Sequence, residues 1–267
     1  MEIKIALAGN PNSGKTTLFN NLTGSRQRVG NWPGVTVEKK EGPLKGTNDV
    51  TIQDLPGIYS LSPYSLEEVV SRNYLVNEKP DAILNIIDGT NIERNLYLTT
   101  QLLELGIPVV VAVNMIDLVE RNGDKIDLNR LSQELGCPVM AVSALKGKGT
   151  KEVAAKAIEV AKKHQVAPIP EIYDKTVMSA LSKIESELQM QNDDSMVRWY
   201  SVKVFERDER IDEFLKLTDE KKAKIEPIIK KVEETLDDDA ESIITSQRYD
   251  YIGTIVQHSV KKKGSKQ

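Results

Sequence analysis

Near its N-terminus the chain reads Gly9-Asn10-Pro11-Asn12-Ser13-Gly14-Lys15-Thr16, which fits the pattern GxxxxGK[ST]. The two glycines allow a tight loop, so that backbone N–H groups and a helix N-terminus can face the oxygens of a phosphate chain. Lys15 is expected to reach the terminal phosphates, and Thr16 is expected to ligate Mg2+. The pattern therefore predicts a phosphate-binding loop and a nucleotide-binding protein.

The segments on either side of this loop are those that a phosphate-binding loop requires. Residues 3–8 alternate like a strand, and residues 17–22 are typical of a helix. Strand, loop and helix therefore follow one another in the order of a mononucleotide-binding unit. An ordinary glycine-rich turn is the alternative interpretation, and the flanking segments argue against it.

Apolar runs alternate with amphipathic segments over the first 165 residues. Because these runs are short, β-branched and almost wholly apolar, they predict buried parallel strands. We expect a doubly wound, mostly parallel α/β sheet that collects its ligands at the carboxyl ends of the strands. The predicted strands after the first are 50–54, 82–88, 108–114 and 138–142, and the predicted helices lie near 65–76, 91–105, 127–135 and 149–164.

A change of pattern near residue 165 predicts a second domain. Val166-Ala167-Pro168-Ile169-Pro170 is unfavourable inside a helix, and apolar residues then recur at helical spacing in segments that begin at Val177, Ile225 and Ile244. Residues 196–205 are assigned to a helix, and Pro227 is expected to kink its helix or to start a new turn. We divide the chain into an α/β domain at 1–165 and a small all-helical domain at 170–267.

Composition excludes several classes of protein. No apolar run approaches the roughly 18 residues of a membrane span, so we expect the chain as given to be soluble and cytosolic. A single cysteine, Cys137, suits a reducing compartment, and the net charge of −4 argues against a nucleic-acid-binding surface. The basic tail Lys261–Lys266 is interpreted as a frayed, solvated terminus, with contact to anionic lipid as the alternative.

Two later motifs bear on which nucleotide is bound. Asp54-Leu55-Pro56-Gly57 matches DxxG, where Asp54 can hold a Mg2+-bound water and the N–H of Gly57 can sense a γ-phosphate; a plain turn is the alternative. Asn114-Met115-Ile116-Asp117 matches NxxD, where a carboxylate can accept the N1–H and 2-amino donors that guanine presents and adenine lacks. A helix N-cap at Asp117 is the alternative for NxxD alone. In this order behind the phosphate loop, the motifs predict a guanine nucleotide.

Two weaker signals gain meaning from their positions. Ser143-Ala144-Leu145 lies just past a strand, where GTPases place the loop that backs the guanine base. Thr36 lies where small GTPases place a switch threonine that ligates Mg2+ when GTP is bound; an ordinary strand residue is the alternative. The candidate nucleotide-binding residues are Gly9, Asn10, Pro11, Asn12, Ser13, Gly14, Lys15, Thr16, Thr17, Asp54, Gly57, Asn114, Met115, Asp117, Ser143, Ala144 and Leu145.

With these motifs in order, the chain resembles the translation-factor-related class of small GTPases and, more narrowly, the cytosolic part of the ferrous iron transport protein B (FeoB) family. The narrower resemblance rests on residues 30–38 (GNWPGVTVE), 54–61 (DLPGIYSL) and 95–102 (NLYLTTQL). The helical segment after residue 170 fits the spacer domain of that family, so the resemblance covers nearly the whole chain. It implies a P-loop GTPase fold that uses GTP, GDP and Mg2+.

Two residues depart from the pattern of Ras-like GTPases. Met115 stands where NKxD has a lysine that packs over the base, which affects the expected affinity. Ile58 follows DxxG where Ras-like proteins have a glutamine that orients the attacking water. Because an aliphatic side chain cannot orient water, we expect slow hydrolysis that depends on some other group.

The resemblance implies that this group is a K+ ion. Similar GTPases hold K+ with the phosphate-loop asparagine, which is Asn12 here, and with switch-I backbone carbonyls around Asn31 and Trp32. A loop residue that merely tolerates the turn is the alternative for Asn12. The predicted catalytic set is Lys15, Asn12, Thr36 and Gly57, and the predicted Mg2+ ligands are Thr16, Thr36 and Asp54.

The resemblance also implies a cellular role. In the FeoB family a polytopic membrane domain follows the spacer, so we expect a membrane transport domain of the same polypeptide as partner and a location at the cytoplasmic face of the membrane. Homo-oligomers are possible, and no nucleic-acid partner is expected. An RNA- or ribosome-associated GTPase and a nucleotide sensor with negligible hydrolysis are the alternative functions.

Other polar residues are given structural interpretations. His164 and His258 are too distant in sequence to suggest a metal site. Glu67 and Glu68 are interpreted as a solvated helix start, with water positioning as the alternative. The acidic run Asp237-Asp238-Asp239 is interpreted as a helix N-terminus, and no iron ligand is assigned.

Overall fold

The computed structural model describes residues 1–188 and 195–264. Seven strands form its main sheet: β1 (Ile3–Gly9), β2 (Arg28–Asn31), β3 (Glu38–Pro43), β4 (Val50–Asp54), β5 (Ala82–Asp88), β6 (Val109–Asn114) and β8 (Val139–Ala141). Their order is β2-β3-β4-β1-β5-β6-β8. The strands from β4 to β8 are parallel, and β2 and β3 are antiparallel at one edge. The predicted doubly wound, mostly parallel sheet is confirmed.

The order in which the strands are added reverses at β1, and this switch point determines where the phosphate loop lies. β1 pairs with β4 on one side and with β5 on the other, so successive strands are added outward in both directions from it. A crevice opens outside the carboxyl ends of the strands at such a switch point. The loop that follows Gly9 lies there.

Eleven helices belong to the described part of the chain. Six accompany the sheet: α1 (Lys15–Thr23), α2 (Leu66–Glu78), α3 (Ile92–Leu102), α4 (Ile116–Arg121), α5 (Leu128–Leu135) and α6 (Thr150–Lys162). Five follow it: α7 (Lys175–Leu188), α8 (Val197–Phe205), α9 (Asp212–Leu215), α10 (Asp219–Leu236) and α11 (Ala240–Ser259). The predicted helix at 196–205 is therefore present as α8, and Pro227 lies inside an uninterrupted α10.

Two apolar cores cover the two faces of the sheet. On one face, α1 and α6 bury side chains such as Phe19 and Val153. On the other face, α2, α3 and α5 build a core that includes Leu96 and continues without a break into α7 to α11, where it includes Trp199 and Ile244. The helical segment thus packs on the face that carries α2, the helix that follows the DxxG motif.

Two buried ion pairs cross between the sheet region and the helical segment. Arg72 of α2 donates two hydrogen bonds to Asp208, at 2.6 and 2.9 Å, and both side chains are at most 3% exposed. Arg248 of α11 pairs with Glu104, and both of these are at most 1% exposed. The Arg72–Asp208 pair is bidentate, so it fixes the orientation as well as the distance between the two groups.

The structure differs from the sequence-based expectations at the chain's C-terminus. Lys261 is not part of a frayed tail, because β9 (Val260–Lys261) pairs antiparallel with β7 (Lys125–Ile126). The backbone N–H of Lys263 also donates to Asp124 at 2.8 Å. Ser265 and Lys266 of the predicted tail lie outside the described residues. Within residues 1–188 and 195–264, no helix is both long enough and apolar enough to cross a membrane.

Cys137 should be unreactive in the folded protein. It is 4% exposed, and burial raises the pKa of its thiol to about 12, whereas a free cysteine has a pKa near 8.5. Since the thiolate is the reactive form, Ellman's reagent at pH 8 should find no thiol in the native chain and one per chain in guanidinium chloride. A rapid reaction of the native protein would contradict the burial.

Candidate functional site

The phosphate loop is shaped by residues with left-handed backbone conformations. Gly14 has φ +93° and Asn12 has φ +65°, and asparagine is one of the few side chains that adopts this region readily. Gly9 and Gly14 also leave no room for a side chain, because a Cβ on Gly9 would lie 2.7 Å from the carbonyl oxygen of Ile86 and one on Gly14 would overlap Asn114. The glycines of the motif are therefore required for both conformation and close packing.

The loop encloses a cavity of about 400 Å3 at the N-terminus of α1. Thr16 and Thr17 are exposed there, and the amides of the first turn of α1 have no partners within the helix. This is the setting in which a helix N-terminus binds anionic oxygens. The cavity is lined by Asn10, Pro11, Asn12, Gly14, Lys15, Thr16, Thr17 and Gly57.

Lys15 and Asp54 form a direct ion pair inside the site. The Nζ of Lys15 lies 2.6 Å from Oδ1 of Asp54, and both residues are buried. Burial raises the pKa of the Asp54 carboxyl, while the charge of Lys15 and its hydrogen bond oppose this rise. The carboxylate and the neighbouring Thr16 hydroxyl are oxygen donors of the type that Mg2+ prefers.

Residues 31–37, which we call the first switch segment, do not line the phosphate cavity. The Trp32 N–H donates to the Val37 carbonyl at 2.9 Å, which closes a loop over residues 32–37 that contains the exposed Thr36. Trp32 itself is 8% exposed and packs edge-on against Tyr74 of α2. Among the predicted ligands, Asn31, Trp32 and Thr36 therefore do not line this cavity, although Val37 lines a smaller one with Lys15 and Asp54.

Residues 54–62, which we call the second switch segment, contact the phosphate loop directly. The Ile58 N–H donates to the carbonyl of Gly9 at 3.1 Å, and a Cβ on Gly57 would lie 3.2 Å from Pro11. The Ile58 side chain is 1% exposed and belongs to the core beneath α2 and α3. It points away from the phosphates, so the position after DxxG supplies no side chain to the reaction.

Asn114 connects the phosphate loop to the loop at 143–145. Its Nδ2 donates to the carbonyl of Ser13 at 3.0 Å, and its Oδ1 accepts from the N–H of Ala144 at 3.1 Å. The side chain of Asn21 in α1 donates to the carbonyl of Ala144 as well. Sequence reasoning identified Asn114 but not this bridging role, and it missed Asn21, whose spacing from the motif gives no signal.

Asp117 lies in the first turn of α4, with its side chain 40% exposed. It forms long ion pairs with Arg121 at 3.8 Å and with Lys146 at 3.7 Å. Met115 precedes the helix in the left-handed conformation, with φ +66°. Lys146 was not predicted as a site residue, although it follows Ser143-Ala144-Leu145 directly and places its cation 3.7 Å from the Asp117 carboxylate.

The remaining acidic residues have structural roles, with one correction. Asp239 is the N-cap of α11 and accepts from the N–H of Ser242, which confirms the helix-terminus interpretation. Glu68 does lie at the start of α2, but it is 9% exposed rather than solvated, and burial raises its pKa. The described residues contain no group of three or more His, Cys, Asp or Glu side chains that could hold a metal.

Comparison with known families assigns both parts of the chain. The model of ferrous iron transport protein B matches residues 3–157, and the model of the FeoB cytosolic helical domain matches residues 173–261. The chain belongs to the FeoB family. It comprises the GTPase region and the helical domain of that family, and the RNA-associated alternative does not account for the second match.

Relatives of known function and structure agree with this assignment. The Fe(2+) transporters FeoB of Escherichia coli K12 and Salmonella typhimurium LT2 are each 54% identical over 153 residues, which is 55% of this chain and 20% of the relative. The match thus spans about a fifth of the length of these relatives. A mutant of S. thermophilus NFeoB bound to GDP is 49% identical, has a TM-score of 0.93 and is matched over 97% of this chain and 100% of that one.

A second S. thermophilus structure shows the family's chemistry. NFeoB bound to GDP·AlF4− and K+ is 49% identical, has a TM-score of 0.86, and is matched over 96% of this chain and 99% of that one. The FeoB G domain is a GTPase, and the predictions of GTPase activity and of guanine nucleotide ligands are confirmed at the level of the family.

Proposed function

We propose that this chain is the GTP-hydrolysing regulatory portion of a ferrous iron membrane transporter. The observation that carries the proposal is the convergence of the phosphate loop, Asp54, Asn114, Asp117 and the loop 143–145 at the carboxyl end of one parallel sheet. The phosphate elements follow β1 and β4, and the base elements follow β6 and β8. β5 lies between these two pairs of strands, and Asn114 bridges the phosphate elements and the base elements. The division into domains at 1–165 and 170–267 is part of the proposal.

One group of residues is proposed to bind the phosphates of GTP and Mg2+. Lys15 and the amides at the start of α1 hold the phosphates, and the N–H of Gly57 contacts the γ-phosphate. Thr16, Asp54 and Thr36 would provide oxygen ligands for Mg2+, and the ion would neutralise phosphate charge. Binding of the nucleotide replaces the Lys15–Asp54 ion pair of this structure, so both residues exchange partners together.

A K+ ion is the proposed substitute for a catalytic side chain. Asn12 is exposed on the wall of the phosphate cavity, and the buried Ile58 provides no polar atom. The carbonyls of Asn31 and Trp32 complete the proposed site when the first switch segment closes. Support comes from the S. thermophilus relative that holds K+ together with GDP·AlF4−.

The helical domain is proposed to carry the nucleotide state to the transporter. Arg72 of α2 forms an ion pair with Asp208 in the helical segment. The Nζ of Lys203 in α8 lies 3.5 Å from the Oγ of Ser62, which follows the DxxG segment. Movement of the second switch segment therefore acts directly on α8 and the turn after it. We place the chain at the cytoplasmic face of the membrane, with the membrane domain of the same polypeptide as its partner.

Asp117→Asn tests guanine recognition. An amide at this position no longer accepts two hydrogen bonds from guanine, but it can donate to the C2 carbonyl of xanthine. We expect the preference for GDP over XDP to change by about 5- to 150-fold, since a two-point base contact contributes about 1–3 kcal/mol. Isothermal titration with both nucleotides measures the change, and Asp124→Asn, three residues beyond the end of α4, serves as the control. An unchanged preference would exclude Asp117 as the base contact.

The same variant tests the link to transport. In proteoliposomes that contain the full-length protein with Asp117→Asn, Fe2+ uptake should respond to XTP rather than to GTP. If XTP binds and is hydrolysed but uptake does not respond, the regulatory proposal is wrong while guanine recognition stands.

A further inference from the structure

The loop that follows β8 closes on itself. The backbones of Ser143 and Lys148 exchange two hydrogen bonds, at 2.8 and 3.0 Å, and form an isolated β-bridge. Inside this closure the N–H of Gly147 donates to the carbonyl of Ala144 at 3.3 Å. We refer to residues 143–148 as the base loop. These internal hydrogen bonds fix the shape of the base loop but not its position on the sheet.

Ala144 attaches the base loop to its surroundings. Its side chain is 1% exposed and lies in the same apolar core as Phe19 of α1, whereas Leu145 beside it is 89% exposed. The N–H of Ala144 donates to Oδ1 of Asn114 at 3.1 Å, and its carbonyl accepts from Nδ2 of Asn21. Two carboxamide side chains therefore hold the base loop through the backbone of one residue.

Both carboxamides belong to elements that also build the phosphate end of the site. Asn114, at the end of β6, donates from its Nδ2 to the carbonyl of Ser13 at 3.0 Å. Asn21 lies in α1, six residues after Lys15, which places it about 9 Å along the helix that begins at the phosphate loop. The position of the base loop therefore depends on α1 as well as on Asn114.

The base loop lines the same cavity as Asp117. Ser143 of the loop and Asp117 of α4 are both in the wall of a cavity of about 210 Å3. Beside the N1–H, guanine has a carbonyl oxygen at C6, which can only accept hydrogen bonds. Backbone N–H groups of the base loop are suitable donors, and no described residue accepts from the N–H of Leu145. The placement of the base loop therefore determines whether a donor reaches this oxygen.

We propose that Asn21 is a positioning residue for guanine recognition. It holds Ala144 so that backbone N–H groups of the base loop meet the C6 oxygen, while Asp117 accepts from the N1–H and the 2-amino group. The inference rests on the proposed function and adds a residue of α1 to recognition of the base. The helix that begins at the phosphates thereby also sets selectivity at C6 of the base.

Asn21→Ala in the full chain tests the proposal. This variant leaves the Ala144 carbonyl with only the 3.3 Å hydrogen bond from Gly147, so the base loop is less firmly placed. The probe is 6-thioguanosine diphosphate, which keeps the N1–H and the 2-amino group but has sulfur, a weak acceptor, at C6. We expect the preference for GDP over this analogue to fall about fivefold, the effect of one ordinary hydrogen bond. Isothermal titration with the two nucleotides measures the preference.

Asn20→Ala is the matched control. Asn20 is the preceding residue of the same helix, is exposed, and accepts from the side chain of Gln27 at 2.7 Å. Because both variants replace asparagine by alanine within α1, they change the helix propensity in the same way. Asn20→Ala should keep the wild-type preference. If the two variants lose the preference equally, the effect belongs to α1 as a whole and the proposal is overturned.

A second nucleotide separates positioning of the base loop from a general loss of binding. Inosine diphosphate lacks only the 2-amino group, which is a partner of Asp117 and not of the base loop. The preference for GDP over inosine diphosphate should therefore be unchanged in Asn21→Ala. If both preferences fall together, the substitution has disturbed the whole base site, and Asn21 does not act through the C6 oxygen.

Asn21→Asp covers the case in which Asn21→Ala does not fold. A carboxylate has nearly the size of a carboxamide, but it donates no hydrogen bond and is repelled by the carbonyl of Ala144. The preference for GDP over the thio analogue should fall at least as far as with alanine, and a wild-type preference would refute the proposal. Equal binding of the two nucleotides by the wild type would also refute it and leave the role of Asp117 intact. Failure of the wild type to bind GDP at all would instead refute the proposed function.

Discussion

In potassium chloride the chain should hydrolyse GTP about a thousandfold faster than in sodium chloride at the same ionic strength. Ile58 is buried and its N–H is bonded to Gly9, so the position after DxxG provides no polar side chain to the γ-phosphate. The transition state then needs a cation, and an arginine in this role contributes about 10^3 to 10^5 in rate. A factor of about a thousand corresponds to about 4 kcal/mol. Single-turnover hydrolysis in the two salts measures it.

The side chain of Asn12 should account for this difference between salts. Asn12→Ala removes the proposed ligand, so its rates in KCl and NaCl should become equal. Because Asn12 has φ +65°, alanine also strains the loop, and Asn12→Gly is the matched control that removes the ligand without the strain. Both variants should lose the potassium effect, while Asn12→Gly should retain GDP affinity. Equal rates of the wild type in the two salts would exclude K+ from the mechanism.

The parallel part of the sheet was predictable, and its antiparallel edge was not. Strands β1, β5 and β6 are buried on both faces, so an almost continuous apolar run is the only sequence that suits them. β2 (Arg28–Asn31) is exposed at all four positions, and β3 (Glu38–Pro43) has only Gly42 fully buried. An edge hairpin of this kind has no apolar pattern from which its strands could be predicted, because backbone pairing with β4 rather than burial holds it in place.

The site was predictable where its chemistry depends on residue type and spacing. The glycines and Lys15 follow from the needs of a phosphate, and Asp117 follows from the donors on guanine. The hydrogen bond from Asn114 to Ser13 joins residues 101 positions apart in the sequence, and the hydrogen bond from Lys263 to Asp124 joins residues 139 positions apart. Such contacts depend on how the helices pack, and no local pattern in the sequence encodes them.

Packing also decides how the two parts of the molecule respond to each other. The helical domain contacts α2 through Arg72 and Asp208, and its last strand, β9, pairs with β7 in the segment after α4. Between these two contacts, Arg248 of α11 donates to Thr100 of α3 and pairs with the buried Glu104 in the turn after α3. Loss of the Arg248–Glu104 pair should therefore weaken both of these contacts. The contribution of the pair to the free energy of unfolding can be measured.

Arg248→Ala should lower the free energy of unfolding by about 3–5 kcal/mol, since it leaves the Glu104 carboxylate buried without its cation. Glu104 is fully buried, with the Tyr173 hydroxyl donating to it at 2.8 Å, and Arg248 also donates to Thr100 at 3.2 Å. Urea unfolding followed by circular dichroism measures the loss.

Arg207→Ala is the matched control for this variant. Arg207 binds Glu226 and Glu233 at 2.9 and 2.6 Å, but it is 38% exposed, so its removal should cost at most about 1 kcal/mol. Combining Arg248→Met with Glu104→Leu should recover most of the loss, because an apolar pair of similar volume carries no desolvated charge. If Arg248→Ala costs no more than Arg207→Ala, the central pair does not hold the helical domain on α3, and the contacts at the two ends act independently.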